Sequence, residues 1–272
     1  MTKILCVDLS EYQRGIRFDA LQNEGVKGVI LRGGDGRYLD ACFAQFYEQA
    51  AAVGLAVGAY WFSRARSAAE AEAEAERFYL HCLKGRRFAL PIYLDCEADS
   101  QRALGKRALT DVILRWSDVL RKKGFLCGVY STAEWFRSYM LWDELAHLER
   151  WVAQWSSAEP SISYGMWQFG GETNYLRDKR MAGYVVDQNY MVRDYPALIR
   201  QQGYNGFLRE VEEMRYNKIE DMPAWAQAEI KELVDAGALK GDEHGNLDLT
   251  EDMMRTLIIN KRYAEAVGCC KR

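Results

Sequence analysis

The stretch Leu90-Pro91-Ile92-Tyr93-Leu94-Asp95-Cys96-Glu97-Ala98-Asp99 ends an apolar run in two acids placed two positions apart. Extended chain turns its side chains over at every residue, so Asp95 and Glu97 point one way and Cys96 the other. Carboxyls held side by side repel, and one of them keeps its proton beyond the usual range. Such a pair suits acid/base work. A protonated carboxyl donates to a leaving oxygen, while an ionised group stabilises positive charge at a sugar's anomeric carbon.

Other chemistries find less support. His81, His147 and His244 show no ligand spacing, so a zinc site is not expected. An all-carboxylate site could hold Mg²⁺ or Ca²⁺, but no phosphate-cradling glycine loop accompanies it. Gly-rich Arg32–Gly36 fits neither phosphate-loop pattern and reads as a flexible strand-to-helix loop. Cys96 faces away from its acidic neighbours with no histidine placed beside it, so it reads as packing. No metal and no cofactor is expected.

The acids need a frame, and the first 200 residues supply a regular one. Strand-like runs fall at Ile4–Val7, Gly28–Leu31, Ala56–Trp61, Ala89–Leu94, Leu126–Tyr130, Trp151–Gln154, Tyr164–Phe169 and Gly183–Val186. Helical patterns at Ala41–Val53, Ser67–Leu83 and Leu104–Lys123 separate the earlier ones, several ending in Gly. Strands alternating with helices predict a parallel sheet, and eight of them a closed barrel. After Tyr139 the connections shorten, so the last three strands lack long helices. Each run delivers a polar or aromatic residue at its end: Asp8, Arg32, Tyr60 and Trp61, Asp95 and Glu97, Tyr130, Gln154 and Trp155, Gln168, and Asp187. In a parallel barrel those ends share the face where active sites lie. Asp8, Asp95 and Asp187 would supply the negative field that keeps a proton on Glu97. The rings would form a sugar platform.

Bulk properties bound the rest. The chain has 272 residues, 49% hydrophobic and 12% aromatic, with formal net charge −3. That is enough for a sizeable core, and no basic stripe suggests nucleic acid. No run approaches the ~20 apolar residues of a membrane span. The start, MTKILCVDLSEYQ, does not read as an export signal. The expectation from these features is synthesis in the cytosol with no obvious export address. The seven Cys, including the Cys269–Cys270 doublet, lack paired spacing and read as free thiols.

The motifs VDLSEYQ, YLDCEAD, WVAQW, MWQF and VDQNY, in this order and spacing, resemble glycoside hydrolase family 25 over residues 1–200. The resemblance implies an irregular, TIM-like (β/α)5(β)3 barrel of α/β class. It implies lysozyme (muramidase) cleavage of the β-1,4 bond between N-acetylmuramic acid and N-acetylglucosamine in peptidoglycan, usually drawn as substrate-assisted. Glu97 matches the family's general acid/base and Asp95 its transition-state partner. Asp8 and Asp187 match acids that orient substrate and tune charge. Arg32, Tyr60, Trp61, Tyr130, Gln154, Trp155 and Gln168 are the expected groove residues. One departure is Cys6, where the family commonly has Gly.

Composition shifts near residue 200, and QQGYNGF (201–207) reads as a linker or terminal turn. The expected domains are a catalytic barrel over 1–203 and a small helical domain over 204–272. Two helical patterns follow, Pro223–Ala236 and Thr250–Ala266, the first with Trp225, Ile230, Leu233 and Val234 on one face. The acids of 241–249 do not fit a calcium loop. The segment resembles an S-layer-homology-like repeat or the small appendages of phage endolysins, which implies wall attachment or a homodimer. The expected partner is bacterial peptidoglycan, with no nucleic acid and no membrane. Alternatives from other classes are a catalytically silent wall-binding barrel and a glycosidase of another amino-sugar polymer such as chitin.

Overall fold

Eight strands with alternating inward and outward residues build a closed barrel. In the computed structural model, which describes residues 3–209 and 214–268, they are β1 (Ile4–Leu9), β2 (Gly28–Asp35), β3 (Ala56–Phe62), β4 (Ile92–Asp95), β5 (Cys127–Thr132), β6 (Glu149–Ala153), β7 (Met166–Gly170) and β8 (Asp187–Met191). Each pairs with the next, and β1 pairs with both β2 and β8, which closes the ring. β1 through β7 run parallel, while β8 is antiparallel to both neighbours.

The helices follow the sequence pattern, with tighter ends. α1 (Phe18–Asn23), α2 (Phe43–Ala52), α3 (Ala68–Phe78), α4 (Gly105–Arg121) and the short α5 (Ala133–Ser138) follow β1 to β5 in turn. No helix separates β6 from β7 or β7 from β8. This is the five-plus-three arrangement. α4 shows why it forms: Leu109, Val112, Ile113, Trp116 and Leu120 recur at helical spacing and are all buried. Ser67 caps α3 by accepting from the Glu70 N–H, and Thr132 caps α5 by accepting from Trp135. α6 (Tyr195–Gln202) completes this part of the chain.

Two cores result. Outward residues such as Val7, Leu31, Trp61 and Leu94 pack beneath the helices, while Cys6, Ile30, Tyr93, Trp151 and Met166 fill the barrel's interior. Cys96 joins the outer core, as alternation predicts. The five described cysteines are free and buried, and Cys269 and Cys270 lie outside the described residues.

Two expectations are corrected. The eighth strand is not Gly183–Val186 but Asp187–Met191, running the opposite way. Asp187 therefore opens that strand, and reversal brings it to the end of the barrel where the other strands finish. Arg32–Gly36 is no flexible loop, because β2 continues to Asp35, pairs there with Tyr38–Leu39, and turns at Gly36. A Cβ on Gly33 would sit 2.2 Å from the Phe78 ring, so the glycine admits close packing. The 201–207 stretch is the terminal turn and not the linker. Buried Asn205 accepts from the Leu126 N–H at 2.8 Å and donates to the Phe88 and Leu90 carbonyls at 3.1 and 2.8 Å.

The chain divides into two compact units, residues 1–210 and 211–272. The second pairs α7 (Ala224–Asp235) with α8 (Glu251–Ala266), with Arg215–Tyr216 laddered to Leu249–Thr250. Ala226, Ile230, Met254 and Ile258 form its small core. Trp225, expected on the buried face, is 44% exposed, with the Arg255 guanidinium over its ring. In the connecting loop, the Asp242 carboxylate accepts from the backbone N–H groups of His244 and Asn246. No described helix is long and apolar enough to cross a membrane.

Candidate active site

Alternation at the strand ends decides which side chains enter the cleft. Asp8 on β1, Arg32 on β2, Tyr60 on β3, Asp95 on β4, Tyr130 on β5, Gln168 on β7 and Asp187 on β8 all line one depression at the barrel's mouth. Glu97, just past β4, joins them. The β1–β8 register sets Asp8 directly opposite Asp187, and β4–β5 sets Asp95 beside Tyr130. The depression encloses about 210 Å³, below the ~300–1,000 Å³ usual for a fully enclosed small ligand. An extended substrate crossing it would be only partly covered.

Two predicted groove residues lie elsewhere. Trp61 follows inward Tyr60 and so points outward, fully buried against Phe78 with ring centroids 5.2 Å apart. Gln154 donates to the Ala158 carbonyl at 2.9 Å and props a turn. Trp155 stands at the rim, 40% exposed, donating from Nε1 to Gln168. Phe62, Trp151 and Tyr12 also line the cleft, although the sequence reading missed them. For Phe62 the signal was available, since it lies two residues past Tyr60.

A network around Asp8 fixes its charge state. Gln168 Oε1 accepts from Tyr130 Oη at 2.8 Å and from Trp155 Nε1 at 2.9 Å. Its amide nitrogen is thereby turned to Asp8 Oδ2 at 3.0 Å. Asn189 works the same way: its oxygen accepts from Trp151 Nε1 at 2.7 Å, and its nitrogen donates to Asp8 Oδ2 at 2.8 Å. Two oriented donors favour an ionised Asp8. Burial outweighs them and lifts its pKa to about 6, which still leaves Asp8 mainly charged at neutral pH.

The other three acids are also shifted towards their protonated forms. Burial, then the Asp8 and Glu97 charges, raises Asp187 to about 8. Burial, then Glu97 and Asp8, pushes Asp95 well above the carboxylate range, with Arg64 opposing. Asp95 Oδ1 is buried and makes no hydrogen bond among the described residues. Glu97 is shifted upward by burial and by Asp8, and Arg64 again opposes. Water reaches Glu97, which moderates its shift. The sequence assigned the negative field to three aspartates; the geometry gives most of it to Asp8. These groups titrate as one set that retains protons at neutral pH.

Arg32 adds no free positive charge. Its Nε donates to Asp40 at 2.8 Å and an NH2 to Glu11 at 3.1 Å. Behind Asp95 and Glu97, Ser63 N–H donates to the Asp95 carbonyl at 2.9 Å and Cys96 N–H to the Tyr130 carbonyl at 3.0 Å. Gln101 Nε2 holds Ser63 Oγ at 3.1 Å, and Ser131 Oγ donates to the Cys96 carbonyl at 2.7 Å. The acid-bearing segment is thus fastened through its backbone, leaving both carboxyls for the cleft.

The family model for glycosyl hydrolases family 25 matches residues 7–177, well over half of the chain. An autolytic lysozyme of Clostridium acetobutylicum is 26% identical over 159 residues, 57% of this chain and 46% of that protein. The chain thus spans about half the length of that curated relative. Among solved structures, the CTP1L endolysin is similar with TM-score 0.62 and 20% identity over 96% of this chain and 98% of that one. The catalytic domain of endolysin ply40, from bacteriophage P40 of Listeria monocytogenes, gives 0.60 and 23% over 73% of this chain and 97% of that one.

Proposed function

The chain belongs to glycosyl hydrolase family 25, and from that membership we propose that it is a muramidase. Its substrate would be bacterial peptidoglycan, cut at the β-1,4 bond from N-acetylmuramic acid to N-acetylglucosamine. The observation that carries this reading is four carboxyls in one open cleft, with Asp8 held by two amide donors and its neighbours shifted towards their protonated forms.

In this reading Glu97 is the general acid. It stands at the accessible side of the cleft, and the nearby Asp8 charge favours its protonated form. Its proton passes to the glycosidic oxygen as the C1–O bond breaks. The neighbouring acetamido oxygen closes on C1 from the other face, and the Asp95 carboxyl that lines the cleft is the acceptor its N–H would meet. Ionised Glu97 then takes a proton from the water that reopens the ring, which restores the acid. Asp8 stabilises positive charge throughout, and Asp187 fixes the sugar's position. Tyr60, Tyr130 and rim Trp155 offer the flat faces and polar tips that pyranose rings need.

The C-terminal unit is read as a wall-attachment or self-association module. The endolysin similarity over 96% of the chain extends beyond what the barrel alone could supply. Trp225, Ile259 and Tyr263 leave apolar surface exposed there. The protein would act on the wall after release from a host cell.

A digest of purified peptidoglycan, reduced with borohydride and read by mass spectrometry, tests the reading. Reduced muramic ends are expected, and Glu97→Gln should lower turnover at least about a hundredfold while wall binding persists. Reduced glucosamine ends, or cleavage of chitin oligomers instead, would overturn the assigned bond. Near-normal activity of Glu97→Gln would remove that residue from the acid role.

A further inference from the structure

Beyond Phe62 the cleft wall continues into a second cavity, of about 520 Å³, that the mechanism does not use. The two share a wall. Phe62 lines the cleft, and the Arg64 guanidinium that borders the second cavity lies 4.3 Å over its ring. Three more arginines line this cavity: Arg37 after β2, Arg66 before α3, and Arg77 near the end of α3.

The cavity's acids are already engaged. Asp35 receives two hydrogen bonds from Arg64, at 2.6 and 2.9 Å. Glu70 accepts from the Arg66 backbone N–H at 2.7 Å. Buried Glu74 accepts from Ser63 Oγ at 2.8 Å and from the Arg64 N–H at 2.9 Å. Burial lifts Glu74 to about 7, so its charge is partly lost at neutral pH. Among the described residues, no ion pair engages the guanidinium of Arg37, Arg66 or Arg77. Exposed Tyr38 adds a flat ring to the same wall.

Three unengaged guanidiniums around one concavity recognise carboxylates, because the planar fork presents paired donors. Peptidoglycan carries such groups on the short peptides attached to its muramic residues, beside the bond to be cut. We propose that the Arg37–Arg66–Arg77 cavity is a subsite for the carboxylates of the peptide stem. This deepens the muramidase reading and rests on it. The stem would anchor a glycan that the cleft only partly covers, so stem-bearing strands would be preferred over bare ones.

Calorimetric titration of the full chain decides this. The ligands are the N-acetylglucosamine–N-acetylmuramic acid disaccharide carrying a tetrapeptide and the same disaccharide without it. The stem-bearing ligand should bind about tenfold tighter, with the margin shrinking at high salt. Arg37→Gln/Arg66→Gln/Arg77→Gln should cut the margin below about twofold and leave binding of the bare disaccharide and the melting temperature unchanged. Lysine at the same positions should restore part of it. Equal binding of the two ligands by the unaltered protein would overturn the subsite, as would a margin that survives all three substitutions. A triple variant that loses bare-disaccharide binding equally would also overturn it, by making these arginines part of the cleft. The borohydride digest separately judges the muramidase reading, so failure of one is distinguishable from failure of the other.

Discussion

Replacing Asp187 by Asn tests the proton economy of the cleft directly. The side chain is half-buried, lies against Gly171 and, among the described residues, makes no hydrogen bond that an amide would break. Its carboxyl goes from an ordinary 3.8 to about 8 in the fold, so the folded state keeps the proton longer than the unfolded chain. The stability held by that proton is complete below about 3.8 and lost as pH rises through about 8. Relative to a neutral side chain, the acid costs the fold almost nothing at pH 3 and at most about 4 kcal/mol at pH 7, at ~1.36 kcal/mol per pKa unit. Solvent access to the group lowers this to about 2 kcal/mol. At ~2–4 °C per kcal/mol for a chain of this size, Asp187→Asn should melt about 4–8 °C higher at pH 7.5 and within about 1 °C of the parent at pH 4. Turnover on peptidoglycan should fall at both pH values. The assay is a pair of thermal melts with activity on the same samples. An equal shift at both pH values, or destabilisation at pH 7.5 alone, would refute an electrostatic cost at this position.

Other outcomes follow from the same contacts. Trp151→Phe removes the indole that orients Asn189, so Asp8 should lose one donor and the acidic limb of the pH–rate profile should move up by about half a unit or more. Gly33→Ala must displace the Phe78 ring and should destabilise by about 1–3 kcal/mol in denaturant titration, with kcat little changed in the surviving folded protein. A 1–210 fragment should fold and keep some activity on soluble fragments, whereas one ending at 203 loses the Asn205 bonds and should melt well below it by circular dichroism.

What the sequence revealed depended on how each side chain is used. Asp8, Asp95, Tyr130 and Gln168 were legible because an apolar run precedes each and fixes where its strand ends. β8 was not. Its residues Asp187-Gln188-Asn189-Tyr190-Met191 are mostly polar because Asp187 lines the cleft and buried Asn189 holds Asp8, so no apolar run marks it. The nearby Tyr184-Val185-Val186 run drew the assignment instead. Strand direction was equally hidden, since period-2 alternation reads the same both ways. Tyr60 and Trp61 could not both face the cleft, and strict alternation selects Tyr60 and Phe62. Asp40, which fixes Arg32, reaches it only through the tertiary fold.

The seam between β1 and β8 also bears on how the molecule assembles. β1 is among the first segments of the chain and β8 nearly the last of the barrel, yet Asp8 is held by Gln168 and Asn189, 160 and 181 positions further on. Closing so long a loop costs entropy before any contact rewards it, so this pairing should come late in folding. Until the ring shuts, the partners that favour ionised Asp8 are absent, and an open barrel has no organised cleft. Shutting it also crowds Asp8 against Asp187, a repulsion that acidic solution relieves. Refolding should therefore regain secondary structure before hydrolytic competence. The last kinetic phase should speed up as pH falls from 8 towards 5, which makes recovered activity a timer for the final seam.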